Sequence, residues 1–528
     1  MSASDVRLQP GSLAGSATAT ATRWSRLSDW LNPILVREVK QAVKGRVFPV
    51  TVMLALAISV LIATVVASEY RDDQTGRGAF DAGFATLIPL VLFIIPMQAY
   101  QSMRTELKGG IVEQLLLTRL SPNAVLAGKL QAAMVQFMLY VSVMSPLIAT
   151  SYLLRGVDLP TIAISLAFAL VICLAATAFA VSSAAQAILP SMQTMASLGI
   201  AFGLGFGTVT MVGFVASSAY SRSIGMLLRS GDFAQVSSAF VGVALLATVL
   251  SWLAARTFLM HAFENKSTGF RLFLFSLPVC LLGWMLLFVE PGRFQYVFPM
   301  MCLVSLVVGI IFGVFMVTEQ ARMSPRVTAH VATTGLRAAL STPLLPGRDR
   351  GMLCFVCYTA MMVGTMLIGW SFVLPSSASA VLTRTVDEVL WSALMMITYA
   401  MVYLALGRWL RDRLPDTVAA NRGARIFVPL ILFLLCLLPL LADVVFVGYA
   451  QSWHLGHIMN PFWTIAEFYD SHDEILAVCV PVLVIVCILH VPVFMRGWNE
   501  VREASAARRG RMSTPQEVAE VAARNEPE

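Results

Sequence analysis

The side chains best suited to metal chemistry lie close together near the carboxyl end of the sequence. Imidazole and carboxylate groups bind zinc and similar ions when three or four of them converge. Here tryptophans are interleaved with them, and no H-E-x-x-H pattern or nucleophile–base pair is present. The mixture favours interfacial anchoring and solvated charge over a metal site or a membrane-embedded enzyme. The residues are Trp453, His454, His457, Trp463, Asp470, His472, Asp473 and Glu474.

Two further motifs that could carry chemistry are incomplete. Cys354 and Cys357 form a C-x-x-C pair without a second ligand pair, so buried apolar thiols are the better interpretation. The Gly128-Lys129 pair is followed by leucine and has no upstream glycine, so it does not match the G-x-x-x-x-G-K-[ST] phosphate loop. The sequence therefore predicts no catalytic residue, no metal site and no cofactor held by this chain.

The segments that would form the secondary structure around any site are strongly apolar. The 528 residues are 58% hydrophobic and 13% charged, and the mean hydropathy is +0.76. Soluble domains carry about 25% charged residues. The apolar residues form continuous blocks of about 20, enough for a helix to cross ~30 Å of hydrocarbon, whereas a barrel would need short alternating segments. The sequence predicts an all-α polytopic membrane protein.

Twelve spans are predicted, six in each half of the chain. We expect a disordered cytoplasmic tail at residues 1–23, a first six-helix unit at 24–265, a second at 266–496 and a cytoplasmic tail at 497–528. The predicted spans cover residues 48–67, 82–100, 130–153, 161–182, 195–216, 236–255, 272–289, 296–317, 352–374, 389–406, 426–449 and 475–494.

The distribution of basic residues predicts the orientation. With the amino terminus inside, 30 of the 37 Lys and Arg residues fall on the cytoplasmic side, as the positive-inside rule requires. Both termini are therefore expected in the cytoplasm. The net charge of +7 is explained by topology and contact with anionic lipid, and it does not indicate nucleic-acid binding.

Polar groups within the predicted spans are few. Asp443 and His490 lie near span ends, which weakens a secondary transporter because ion coupling usually needs intramembrane carboxylates or histidines. Gly199, Gly203 and Gly207 recur every fourth residue. This stripe predicts either close helix packing or dimerisation.

Two cytoplasmic segments are predicted to be helical. Asn32 can cap a helix that begins at Pro33, with Leu35, Val39 and Ala42 on one face and basic residues mostly on the other. This pattern is typical of an interfacial helix, although a merely topogenic basic flank fits too. The basic residues are Arg37, Lys40 and Lys44.

The loop between the second and third spans predicts a short helix across the cytoplasmic mouth. Residues 111–117 can make about two helical turns, with Glu113 in the first turn, and Ser121-Pro122 can cap the next helix. The exposed leucines of such a helix suggest a protein partner, and the alternative is an interfacial hairpin without one.

These two segments together resemble the permease subunits of type-2 ATP-binding-cassette exporters. The resemblance covers residues 32–38, the loop 106–122 and the Gly128-Lys129 pair. It implies an amphipathic amino-terminal helix containing Asn32, Pro33, Arg37, Glu38, Lys40 and Lys44. It also implies a coupling helix that docks on a separate ATPase through Glu106, Glu113, Leu116, Leu117, Thr118, Leu120, Ser121, Pro122, Gly128 and Lys129.

The chain departs from this pattern in two places. Gly109-Gly110 replaces the more usual Gly-Thr pair, so a capping hydroxyl is lost. The second departure is the additional six helices. These are either a diverged second permease unit, with residues 319–351 at the place of a second coupling loop, or an accessory half.

The resemblance implies a transport subunit without its own nucleotide-binding domain, in the bacterial cytoplasmic membrane. ATP and Mg would be bound by the partner ATPase, and a homodimer or a second permease is a further possible partner. Charge reversal at Glu113 or a bulky residue around Leu117 should then uncouple transport. A secondary transporter and a non-transporting membrane scaffold remain the alternatives, and the sequence does not name a substrate.

Overall fold

A computed structural model describes residues 32–68, 75–117, 120–186, 190–217, 219–261, 264–319, 323–373, 380–415 and 472–512, except 330 and 332–334, with isolated positions between 424 and 464. The described residues are mostly helical, and no strand occurs among them. The chain divides into two units, residues Met1–Met260 and His261–Glu528. The predicted boundary lay at residue 265.

The described residues of the first unit form ten α-helices. They are α1 (Pro33–Lys44), α2 (Val47–Ser68), α3 (Thr75–Pro89), α4 (Ile95–Lys108), α5 (Ile111–Leu117), α6 (Pro122–Leu153), α7 (Leu159–Gln186), α8 (Pro190–Ala216), α9 (Ala219–Arg229) and α10 (Phe233–Leu259). A π-helical segment, Leu90–Ile94, joins α3 to α4, so these form one continuous rod.

The second unit contains α11 (Thr268–Phe288), α12 (Phe294–Val317), α13 (Pro325–Ala329), α14 (Gly335–Ser341), α15 (Arg348–Val373), α16 (Ala380–Asp412) and α17 (His472–Met512). Helix α17 continues well into the segment predicted as a carboxyl-terminal tail from residue 497. Its end packs through Val501 against Val327 and Ala338 of the two short helices.

Ten described helices are long and apolar enough to cross a membrane, six in the first unit and four in the second. They correspond to ten of the twelve predicted spans, which establishes a multi-pass helical membrane protein. The predicted span 389–406 lies within α16, which is not one of the ten. The predicted span 426–449 and the tail 1–23 lie outside the described residues, apart from isolated positions in the former.

Local sequence explains where the helices next to the candidate site begin. Asn32 Oδ1 accepts a hydrogen bond from the Ile34 backbone N–H at 3.1 Å, and Pro33 occupies the first turn of α1. Ser121 Oγ accepts from the Ala124 N–H at 3.3 Å at the start of α6. Each cap satisfies one of the backbone donors that a helix start leaves free.

Candidate functional site: a buried polar network beside α5

Four polar side chains from three helices meet at one end of the first unit. Lys129 Nζ of α6 lies 2.6 Å from Glu38 Oε1 of α1 and 2.9 Å from Glu106 Oε2 of α4. Ser102, one helical turn before Glu106, donates to Glu38 Oε2 at 2.9 Å and accepts from Lys129 Nζ at 2.8 Å. Lys129 is 2% exposed, Glu106 6% and Glu38 8%. The cluster therefore fixes α1, α4 and α6 together.

Arg37 completes this polar network, by which we mean Arg37, Glu38, Ser102, Glu106 and Lys129. Its guanidinium pairs with Glu106 and lies 3.4 Å from Glu38 Oε1. Two cations thus face two carboxylates, so the formal charges cancel inside a cluster that is buried except at Arg37, whose side chain is 34% exposed. Burial of charge is tolerated when each group is paired and hydrogen-bonded, and removal of one partner leaves an uncompensated charge.

The electrostatics of Glu38 follow from these contacts. Burial alone would raise the pKa of its carboxyl group, because desolvation disfavours the charged form. The nearby Lys129 ammonium and the hydrogen bonds from Lys129 and Ser102 outweigh this effect and hold the pKa of Glu38 below its ordinary value. Glu38 is therefore an ionised anchor for α1.

Helix α1 packs directly on α6 beside the polar network. Asn32 Nδ2 donates to the Ala124 carbonyl at 2.6 Å, and Ile34 is 3% exposed. The close approach depends on Gly128, since a Cβ atom there would lie 2.7 Å from the side chain of Ile34. The pair Gly128-Lys129 therefore has a structural role. Gly128 allows α1 to pack closely against α6, and Lys129 forms an ion pair with Glu38 of α1.

Helix α5 follows α4 after a glycine turn. Gly110 has a φ of +67°, a conformation that favours glycine, and the Gly109 N–H bonds the Thr105 carbonyl at 2.9 Å. On one side of α5, Val112 is 2% exposed and belongs to a core cluster of the unit. At its end, Leu117 is 82% exposed. Helix α5 therefore has an anchored side and an open apolar end.

The remaining residues predicted for this site are distributed around that core. Ser121, Pro33, Lys40 and Lys44 are exposed, whereas Pro122 and Leu120 are half-buried. Ile111, which is not among the predicted residues, is exposed too. Thr118 lies outside the described residues, and Glu113 and Leu116 are described by their helical backbone only.

The glycine stripe of α8 does not contact another described helix. A Cβ atom at Gly199, Gly203 or Gly207 would meet no heavy atom within 4 Å. Close packing against the described part of this chain is therefore not the role of the stripe, and dimerisation stays a prediction.

Sequence reasoning missed two polar residues. Ser102 could have been found, because it lies one helical turn from Glu106 on the same face. Asp81 was placed one residue outside the predicted span 82–100, but it lies within the apolar helix Gly76–Lys108 and is 2% exposed. Its Oδ2 accepts a hydrogen bond from Ser221 Oγ at 2.9 Å.

Other candidates from the sequence carry no described site. His490 Nδ1 lies 2.7 Å from the carbonyl of Val486 in its own helix. Of the predicted buried thiols, Cys354 is buried and Cys357 is half-buried, and both are free. Asp443 and most of the His/Trp/Asp loop at residues 453–474 lie outside the described residues.

The second unit has a polar cluster of its own at the segment predicted as a second coupling loop. Arg271 of α11, fully buried, donates to Glu319 Oε2 at 2.8 Å and to the carbonyls of Pro343 at 3.0 Å and Gly347 at 3.1 Å. It also donates to the Leu345 carbonyl. These bonds hold the segment that precedes α15.

The fold and these helices define the class of the protein, a multi-pass α-helical membrane protein. Comparison with known proteins adds no family: no family model, no curated protein and no solved structure matches this chain.

Proposed function

We propose that this chain is the membrane-spanning subunit of an exporter that is driven by ATP hydrolysis in a separate ATPase subunit, which docks on α5. The observation that carries the proposal is the combination of an exposed apolar end on α5 with a rigid base. Leu117 is 82% exposed, while the helices before and after α5 are joined through Glu106 and Lys129 at 2.9 Å. A force applied to α5 would therefore reach both α4 and α6.

Within this proposal the residues near α5 have two different roles. Leu117, Ile111 and Ser121 are exposed and would touch the ATPase. Glu106, Gly128 and Lys129 are buried and would instead position α5. The polar network supports coupling because packed helices that share buried ion pairs shift as rigid bodies rather than deform locally.

The same proposal implies on which side of the membrane α5 lies. The α5 end would face the cytoplasm of a bacterial cell, where ATP and Mg would be bound by the ATPase. The exposed Lys40 and Lys44 of α1 would then face anionic lipid headgroups or the partner, as expected of an interfacial helix.

Co-purification tests the proposal. The full-length chain would be expressed in its native host, extracted in detergent and analysed for bound subunits. The test variant is Leu117→Ser, and Leu153→Ser at the other end of α6, where Leu153 is 75% exposed, is the matched control. We expect the ATPase to accompany the wild type and the control, and its recovery to fall about tenfold for Leu117→Ser.

Other outcomes separate the alternatives. Equal ATPase recovery from all three chains would remove α5 as the docking element. An active transporter without any ATPase would favour a secondary transporter, and recovery of non-ATPase membrane subunits alone would favour a scaffold.

A further inference from the structure

The helical rod from Thr75 to Lys108 is fixed at both ends by buried carboxylates. At one end Glu106 belongs to the polar network. At the other end Asp81 contacts α9. The two residues are separated by 25 positions, which corresponds to about 37 Å along a helix.

Asp81 binds the first turn of α9 from another part of the chain. Ser221 is the third residue of α9, and its Oγ–H donates to Asp81 Oδ2 at 2.9 Å. A carboxylate at this position interacts favourably with the dipole at the start of a helix. Aromatic stacking strengthens the contact, because Tyr220 lies 5.1 Å from Phe84 of α3, centroid to centroid. Helix α9 is therefore latched to α3.

The rod is weakened midway between these anchors. The segment Leu90–Ile94 is π-helical, a wide turn of a kind found frequently at functional sites and at sharp kinks in helices. Pro89 ends α3 and Pro96 lies in the first turn of α4. Each proline lacks an N–H donor, so one backbone hydrogen bond is missing on each side of the wide turn. This part of the rod resists bending less than a regular helix.

We propose that Leu90–Ile94 is a hinge that lets α4 move with the polar network while Asp81 keeps α9 latched on α3. The end of the first unit at the polar network and the end at α9 then move independently. Helix α9 acts as a lid, and a movement of α5 alone does not detach it from α3. The inference stands on the geometry of the rod alone and does not depend on what moves α5.

Deletion of Phe93 tests the hinge. A π-turn contains one residue more than an α-helical turn. Deletion of one residue should therefore restore a regular helix and leave Asp81 and Glu106 on the same sides of that helix as in the wild type. Phe93 is suitable because it is half-buried, whereas the other four residues of the segment pack in a core cluster. A second stiffened chain, Pro89→Ala with Pro96→Ala, restores the missing donors without a deletion and covers the case in which the deletion does not fold.

The test measures amide hydrogen exchange in the purified full-length chain. Exchange rates are compared between variants for peptides that cover α9 and peptides that cover α4–α5. Asp81→Ala should raise exchange in α9 about fivefold through loss of the buried hydrogen bond to Ser221. Glu106→Gln should raise exchange in α4–α5 and leave α9 at the wild-type level. Combined with either stiffened chain, Glu106→Gln should raise exchange in α9 as well.

Three results would overturn the inference. The first is a rise in α9 exchange from Glu106→Gln in the chain with its native hinge. The second is α9 exchange that stays at the wild-type level in both stiffened chains carrying Glu106→Gln. The third is an unchanged α9 in Asp81→Ala, which would show that Asp81 is not the latch.

Discussion

Lys129 and Glu38 are 91 positions apart in the sequence, yet Lys129 Nζ and Glu38 Oε1 lie 2.6 Å apart with the ammonium group almost fully buried. This contact joins the amino-terminal helix to the third span of the first unit. Because Glu106 binds the same ammonium group, a displacement of α1 changes the ion pairs that hold α4 and α6.

Removal of the Lys129 charge should be strongly destabilising. In Lys129→Met the carboxylates of Glu38 and Glu106 would remain buried with only Arg37 as a counter-ion. We expect a loss of about 3–5 kcal/mol in unfolding free energy, the usual cost of breaking a buried ion pair. Thermal unfolding in detergent measures it, and Lys40→Met at an exposed position of α1 should stay within about 0.5 kcal/mol of the wild type. Equal melting temperatures for the two variants would contradict the structural role of Lys129.

The contribution of Glu38 should depend on pH. Its pKa is lowered in the folded chain relative to the ordinary value of 4.5, so its ionised form stabilises the fold above that value. This stabilisation is lost as the pH falls through the lowered pKa, because the protonated group no longer attracts Lys129. Melting temperatures of the wild type and Glu38→Gln should therefore differ at neutral pH and converge in acid. A difference that stays constant between pH 7 and the acid limit would show that another interaction is responsible.

A methyl group at position 128 should displace α1. In Gly128→Ala the new Cβ would lie 2.7 Å from the side chain of Ile34, so α1 must shift away from α6. We expect a cost of about 1–3 kcal/mol and faster tryptic cleavage at Lys40 and Lys44. The matched control is Gly199→Ala, where a Cβ meets no described atom within 4 Å, and cleavage should be unchanged. If both alanine variants are cut at the wild-type rate, the close approach of α1 is not essential.

Arg271 of the second unit should not be replaceable by lysine. Its guanidinium binds Glu319 and three backbone carbonyls at once, a set that an ammonium group with a different shape cannot reproduce. Arg271→Lys should leave buried acceptors unsatisfied and cost about 1–3 kcal/mol. Arg326→Lys is the comparison, because the Arg326 side chain is 66% exposed, and its unfolding should match the wild type. Comparable stability of both variants would argue against the buried cluster as an anchor.

The sequence by itself determined the local features of this protein. Ten of the spans predicted from apolar blocks of about 20 residues correspond to helices long and apolar enough to cross a membrane. The caps at Asn32 and Ser121 and the bounds of α5 also followed from neighbouring residues, because helix starts and glycine turns depend on interactions within a few positions.

Only the tertiary structure decided which polar groups meet. The sequence placed Glu106 and Lys129 at a partner surface, whereas the fold buries them with Glu38 and Ser102. It also left open whether the Gly199 stripe packs in this chain, and it put Asp81 outside a span. The physical reason is common to these cases. Burial and ion pairing depend on how helices pack across the unit, and the spacing of residues along one helix does not contain that information.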